Sequence, residues 1–109
     1  MKFIDNIYVG ESIKNPPEIF DKLKNRTPAF GIYCICILPG SRFFAEILSS
    51  RSLFSDKNKN KDYTVIGIAF GKDEAEELFS EIIEDYISSG DGKLTGFKKT
   101  FDSEEFITV

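Results

Sequence analysis

Two segments of this chain are apolar on both faces: residues 30–38 (FGIYCICIL) and residues 63–70 (YTVIGIAF). Read with a period of two, Phe30, Ile32, Cys34, Cys36 and Leu38 fall on one side of the first, and Tyr33, Ile35 and Ile37 on the other. A strand without a polar face belongs in the middle of a sheet that helices cover on both sides. Each segment runs through a turn, Pro39-Gly40 or Gly71-Lys72-Asp73, into a pattern that reads as a helix. The expectation is an α/β fold: a single three-layer domain over residues 1–109 in the order β-α-β-α-β-α-β. Its sheet is expected to be four-stranded and mostly parallel, joined by right-handed crossovers, with a last edge strand that can run antiparallel.

The remaining elements follow from shorter patterns. Residues 3–9 read as a first strand, interrupted by Asp5 and Asn6. Asn15 suits a helix N-cap, with Pro16 and Pro17 in the first turn, where a missing N–H costs little. Ile19, Phe20 and Leu23 make that helix's apolar stripe, and Pro28 lies beyond its end. Ser41 reads as the N-cap of a second helix with Phe44, Ile47 and Leu48 facing the sheet. Residues 56–62 (DKNKNKD) hold no apolar side chain and read as a surface loop. Ala75, Leu78, Phe79, Ile82, Ile83, Tyr86 and Ile87 repeat at helical spacing, a face worth about 10 kcal/mol gross when buried. Residues 88–92 (SSGDG) stop that helix, and residues 94–101 read as the edge strand, with Lys98 and Lys99 discouraging further pairing. Residues 102–109 form an acidic tail expected to fray.

Composition narrows the function classes. A length of 109 residues gives room for one core. Eleven phenylalanines against no tryptophan point to a core of Phe and Ile. The net charge of −4 argues against nucleic acid as partner, and equally against an anionic membrane surface. Residues 1–6 carry no apolar core of a secretory leader, and no stretch reaches membrane-span length. Cys34 and Cys36 point the same way along one strand, so a bridge between them needs backbone distortion. Two free thiols fit a reducing cytoplasm. The chain has no histidine, which removes the commonest general base and metal ligand.

Three motifs could carry chemistry. Cys36-Ile37-Leu38-Pro39-Gly40-Ser41-Arg42 has the C-x5-R spacing that wraps backbone amides and one guanidinium around a phosphoryl group and activates the thiol. Residues 33–47 (YCICILPGSRFFAEI) accordingly resemble the phosphate-binding loop of low-molecular-weight protein tyrosine phosphatases, and the cysteine loop of rhodanese-like domains. That resemblance implies Cys36 as nucleophile and Arg42 as oxyanion clamp. The chain departs from the phosphatase pattern in having Phe43 after the arginine, no Asp-Pro acid, and its cysteine after the second strand. Read physically, Ile37 and Leu38 continue the apolar alternation. That makes Cys36 a small buried strand residue and Arg42 a surface arginine.

Residues 67–73 (GIAFGKD) approach a P-loop, but the glycines are one residue too close and Asp73 stands in the Ser/Thr position. A plain strand-to-helix turn accounts for them. Glu74, Glu77, Glu81 and Glu84 form an acidic row that reads as a solvated helix face rather than a metal site. A basic partner, such as the loop with Lys57, Lys59 and Lys61 of this or another chain, would relieve their repulsion. Gly10-Glu11-Ser12 should lie at the same sheet end as Pro39-Gly40 and Gly71-Lys72. Ligands of open α/β sheets bind outside the carboxyl ends of the strands. Glu11, Ser12, Ser41, Arg42 and Lys72 are therefore the expected rim of any pocket.

Gly31-Ile32-Tyr33 with Ile35-Cys36, and residues 65–78 (VIGIAFGKDEAEEL), resemble a family of small α/β proteins of Gram-positive bacteria. The resemblance implies a bacterial α/β protein and attaches no activity to it. The expected function is a cytoplasmic, non-enzymatic module that binds another protein or forms a homo-oligomer. It would have no cofactor, metal, nucleic acid or membrane partner. The alternative is a cysteine-dependent phosphatase or sulfurtransferase-like enzyme using Cys36 and Arg42.

Overall fold

The two apolar segments become neighbouring central strands. A computed structural model describes residues 1–41, 45–89 and 106–108. In chain order these form β1 (Lys2–Val9), α1 (Pro16–Lys24), β2 (Ile32–Ile37), β3 (Glu46–Ser49), α2 (Ser50–Leu53), β4 (Thr64–Phe70), α3 (Lys72–Ser89) and β5 (Phe106–Thr108). One sheet holds all five strands in the order β3-β2-β4-β1-β5. Leu23 of α1 and Leu53 of α2 pack with Phe3, Cys34, Cys36, Val65 and Ile68 on one face. Ala75, Leu78 and Ile82 of α3 pack with Ile4, Ile35, Ile37, Ile66 and Ala69 on the other. Both faces of the β2–β4 pair are thus covered, which is why neither strand shows a polar side. The described residues form a single α/β domain of three layers.

The sheet is mixed, which corrects the mostly parallel arrangement expected. β1 and β4 run parallel, but β2 is antiparallel to β4, with Tyr33 opposite Ala69 and Cys34 opposite Ile68. Apolarity on both faces reports coverage and not direction. Direction depends on where the chain re-enters the sheet. After α1 it comes back to the end it left, and β2 starts where β1 and β4 stop.

The helix expected from Ser41 is replaced by a strand. Ser41 N donates to Leu38 O at 3.1 Å, with Gly40 at a φ of 84°. Pro39-Gly40 is therefore the centre of a tight turn, with glycine in the left-handed position such turns need. Further on, β3 lies antiparallel to β2 with Ile35 opposite Ile47. Leu48 joins the α1/α2 face and Ile47 the α3 face. A pair of adjacent apolar residues fits either period, and here the open edge of β2 takes it. Arg42 and Phe44 lie outside the described residues, as do the strand expected at 94–101 and the acidic residues 102–105. Phe106–Thr108, expected in the fraying tail, pairs antiparallel with β1 as the other edge strand.

Local chemistry fixes the covering layers. Asn15 caps α1, its Oδ1 accepting from Glu18 N at 3.5 Å and its Nδ2 donating to Glu18 Oε2 at 3.1 Å. The helix ends with Thr27 N donating to Lys22 O at 2.8 Å and Arg26 N to Leu23 O at 3.0 Å. This paired closure puts Arg26 in the left-handed region at a φ of 56°. In the lysine-rich loop Asn58 turns inward, its Nδ2 donating to Ser52 O at 2.8 Å. In β4 the register slips between the Cys36–Val65 and Ile35–Gly67 pairs. The bulge at Ile66 puts Val65 and Ile68 on the same face despite their odd spacing.

Ile82 is fully buried between α3 and the sheet. Ile82→Ala is expected to cost about 2–5 kcal/mol by urea denaturation. Glu84→Ala, on the exposed side of α3, should change stability by no more than about 0.5 kcal/mol.

Candidate functional site

Because β2 runs antiparallel, its first residues arrive where β1 and β4 finish. Gly71 N donates to Gly31 O at 2.7 Å, and Gly10 N to Ile68 O at 2.8 Å. The turn into β2 closes with Ile32 N donating to Ala29 O at 3.1 Å. Gly31 sits in its third position at a φ of 73°, where a side chain would be strained and would meet the Phe70 ring at 2.7 Å. On the other side of the turn, the buried Ser50 hydroxyl donates to Ala29 O and accepts from Ala29 N, both at 2.9 Å. Phe30 is held between these two pinned residues and is 94% exposed. Phe70, against Gly31, is 47% exposed.

Phe30 forms a ridge between two open troughs. One, of about 520 Å³, has an apolar floor of Ile13, Ile19, Ile32, Phe30 and Phe70, with Ser12, Lys14 and Asn15 at its rim. The other, of about 550 Å³, runs along Pro28 to Tyr33 and is closed by Ser49, Ser50 and Arg51. Two large exposed aromatic rings beside apolar floors are what a contact surface offers. Scattered single apolar side chains would carry no such meaning.

Glu74 ties this end together. One carboxylate oxygen accepts from Phe70 N at 2.8 Å and the other from Ser12 N at 3.0 Å. The end of β4 is thereby joined to the loop between β1 and α1. Glu74 is the third residue after Gly71, whose carbonyl accepts from Ala75 N at 3.1 Å. It therefore occupies the capping-box position and reaches back one residue further than usual. Gly10 leaves the space it needs: a Cβ there would meet the Glu74 carboxyl carbon at 2.7 Å. Partial burial raises the Glu74 pKa. Hydrogen bonds from the Ser12 side chain and from the Phe70 and Ser12 amides outweigh this and hold it below the ordinary 4.5.

The expected rim is divided by the strand directions. Ser12 lines the Ile13–Phe70 trough. Glu11 lies beside it, in a small acidic groove with Glu74, Glu77 and Glu81. Lys72 is exposed at the start of α3 at the same end. Ser41 follows the finish of the antiparallel β2, so it stands at the opposite end of the sheet from Glu11, Ser12 and Lys72. Gly67, of the P-loop-like stretch, faces α3 within β4, where a Cβ would meet Ile35, Leu78 and Ile82 at 3.2–3.4 Å. It is a close-packing glycine rather than a phosphate loop. Of the acidic row, Glu74 is a tether to backbone amides. Lys59 pairs with Asp56 in its own loop at 3.8 Å.

Cys36 is completely buried, as is Cys34. Burial, then the neighbouring Cys34 and Glu46, push the Cys36 thiol well above its ordinary value. Burial alone pushes Cys34 up to about 12. Among the described residues no group of three or more His, Cys, Asp or Glu side chains converges as a metal site, and no helix is long and apolar enough to cross a membrane. Sequence reasoning missed Phe30 and Phe70 because both continue apolar runs. The available signal was Phe30-Gly31, a bulky residue before a glycine at the mouth of a strand. No family model, curated protein or solved structure matches the chain.

The carboxylate tether has a pH signature. Its folded pKa is depressed, so its stabilisation is present above the ordinary value and is lost as the pH falls through the folded one. Glu74→Gln should lower Tm at neutral pH. It should also flatten the decline in Tm between about pH 5 and about pH 3, as read by circular dichroism melts.

Proposed function

We propose that the chain is a non-enzymatic binding module whose contact surface is the Phe30 ridge with its two flanking troughs. The observation that carries this reading is the presentation of Phe30. A phenylalanine almost wholly in water sits on a turn that hydrogen bonds fix on both sides. A ring on a floppy loop would lose much of its contact energy to ordering. A ring on a pinned turn is organised before the partner arrives. Aromatic anchors of this kind dominate the energetics of protein contacts.

The thiol environment gives the enzyme reading no support. A nucleophilic cysteine needs partial exposure and a field that lowers its pKa, whereas Cys36 has neither. In the native chain both thiols should react with iodoacetamide at least about a hundredfold more slowly than in the urea-unfolded chain at pH 8, the population of opened molecules setting the rate. A rapid, pH-dependent reaction of the native protein would instead revive the phosphatase or sulfurtransferase alternative.

The binding reading is tested with a peptide-display library panned on immobilised wild-type protein and counter-screened on Phe30→Ala. That variant should keep its stability within about 0.5 kcal/mol, since so little of the ring is buried. The expected result is enrichment of clones that bind wild type and lose binding to Phe30→Ala. Clones that bind both equally would place the contact surface elsewhere.

A further inference from the structure

The charges around Phe30 point to the partner's chemistry, an inference that rests on the binding reading above. Neither trough has a carboxylate among its lining residues. Each carries one exposed cation, Lys14 on one side of the ridge and Arg51 on the other. In a chain with 18 acidic and 14 basic side chains this runs against the overall balance. Of the acids near this sheet end, Glu11, Glu77 and Glu81 line a groove along α3, Glu74 is taken up by the Ser12 and Phe70 amides, and Glu18 is held by the Asn15 side chain. Among the described residues neither Lys14 nor Arg51 makes an ion pair, whereas Met1 pairs with Asp62 and Lys59 with Asp56.

We propose that the surface takes a segment of a partner protein whose apolar anchor residues are flanked by carboxylates. The apolar anchors would occupy the troughs on either side of the Phe30 ring, and the flanking acids would meet Lys14 and Arg51. Such cations steer and select more than they tighten. A second copy of the chain fits less well. Symmetric packing of two Phe30 surfaces brings the four cations of the two copies together. Packing the acidic α3 groove of one copy onto the Phe30 surface of another is head-to-tail and leaves a free surface at each end. A small apolar molecule would fill one trough and leave the projecting ring in water, whereas ligand pockets enclose most of their ligand.

The test uses three fluorescein-labelled synthetic peptides with the same Leu-Phe-Leu centre, flanked on both sides by glutamates, serines or lysines. Binding to the intact chain is read by fluorescence anisotropy. The glutamate-flanked peptide should bind wild type about fivefold or more tighter than the lysine-flanked one at low salt, with the ratio shrinking at high salt. The double variant Lys14→Glu, Arg51→Glu should reverse that order, and Phe30→Ala should weaken all three peptides. Equal affinities for the three peptides, still lost in Phe30→Ala, would overturn the charge inference and leave the binding reading standing. Peptide affinities unaffected by Phe30→Ala, or no binding at all, would overturn both. A wild-type dimer in sedimentation that Phe30→Ala dissociates would make the occupant a second copy and overturn the proposed partner.

Discussion

Two-sided burial of the β2–β4 pair is the constraint on which the rest of this structure depends. Cys34, Ile35, Cys36 and Ile37 on one strand, and Val65 to Ala69 on the other apart from Gly67, leave no face that water could cover. The chain answers with α1 and α2 on one side and α3 on the other. Backbone pairing and apolar burial then reinforce each other: the strands can lie at the centre only if covered, and the helices have an apolar seat only if the strands are central. β1 and β5 on one side of the pair, and β3 on the other, complete the sheet. The slip in β4 at Ile66 shows the same demand at residue scale. It lets Ile66 and Ala69 pack under α3 while Val65 and Ile68 fill the opposite layer.

The antiparallel direction of β2 turns that core into a surface. It carries the turn at Ala29–Ile32 to the carboxyl end of β1 and β4, where Gly31 meets Gly71 and the Phe70 ring. Ser50, buried at the start of α2, holds the other side of the turn. Glu74 fixes the neighbouring loop by taking one amide from β4 and one from the β1–α1 connection. The same end of the molecule thus holds a solvent-facing aromatic ring on a hydrogen-bonded turn and the carboxylate that ties the neighbouring loop to β4. The two cysteine thiols sit where burial keeps them protonated.

Much of this was legible in the residues, and the failures share a physical cause. Burial was readable: the double-faced segments, the Asn15 cap with its proline pair, and the 3-1-3-1 face of α3 all report how much apolar surface must leave water. Direction was not. Nothing in residues 30–38 distinguishes a parallel from an antiparallel neighbour, because both arrangements bury the same two faces. Ile47-Leu48 shows the limit of periodicity, since so short a pattern serves a helix face or the two faces of a strand equally. Glu74 read as one acid of a solvated row because its partners are backbone amides, which have no signature in a sequence. Phe30 went unnoticed as a surface residue because it extends an apolar run, and only Gly31 behind it marks where the strand gives way to a turn.

The most direct check of this account is an isotope-edited NOE experiment across the central pair. If β2 runs against β4, Gly31 protons should show contacts to the Gly71 amide, and Tyr33 to Ala69, placing Phe30 beside Phe70. Contacts from Gly31 to the Tyr63–Thr64 end of β4 would mean that the strands run parallel. The Phe30 surface would then not exist at that end of the sheet.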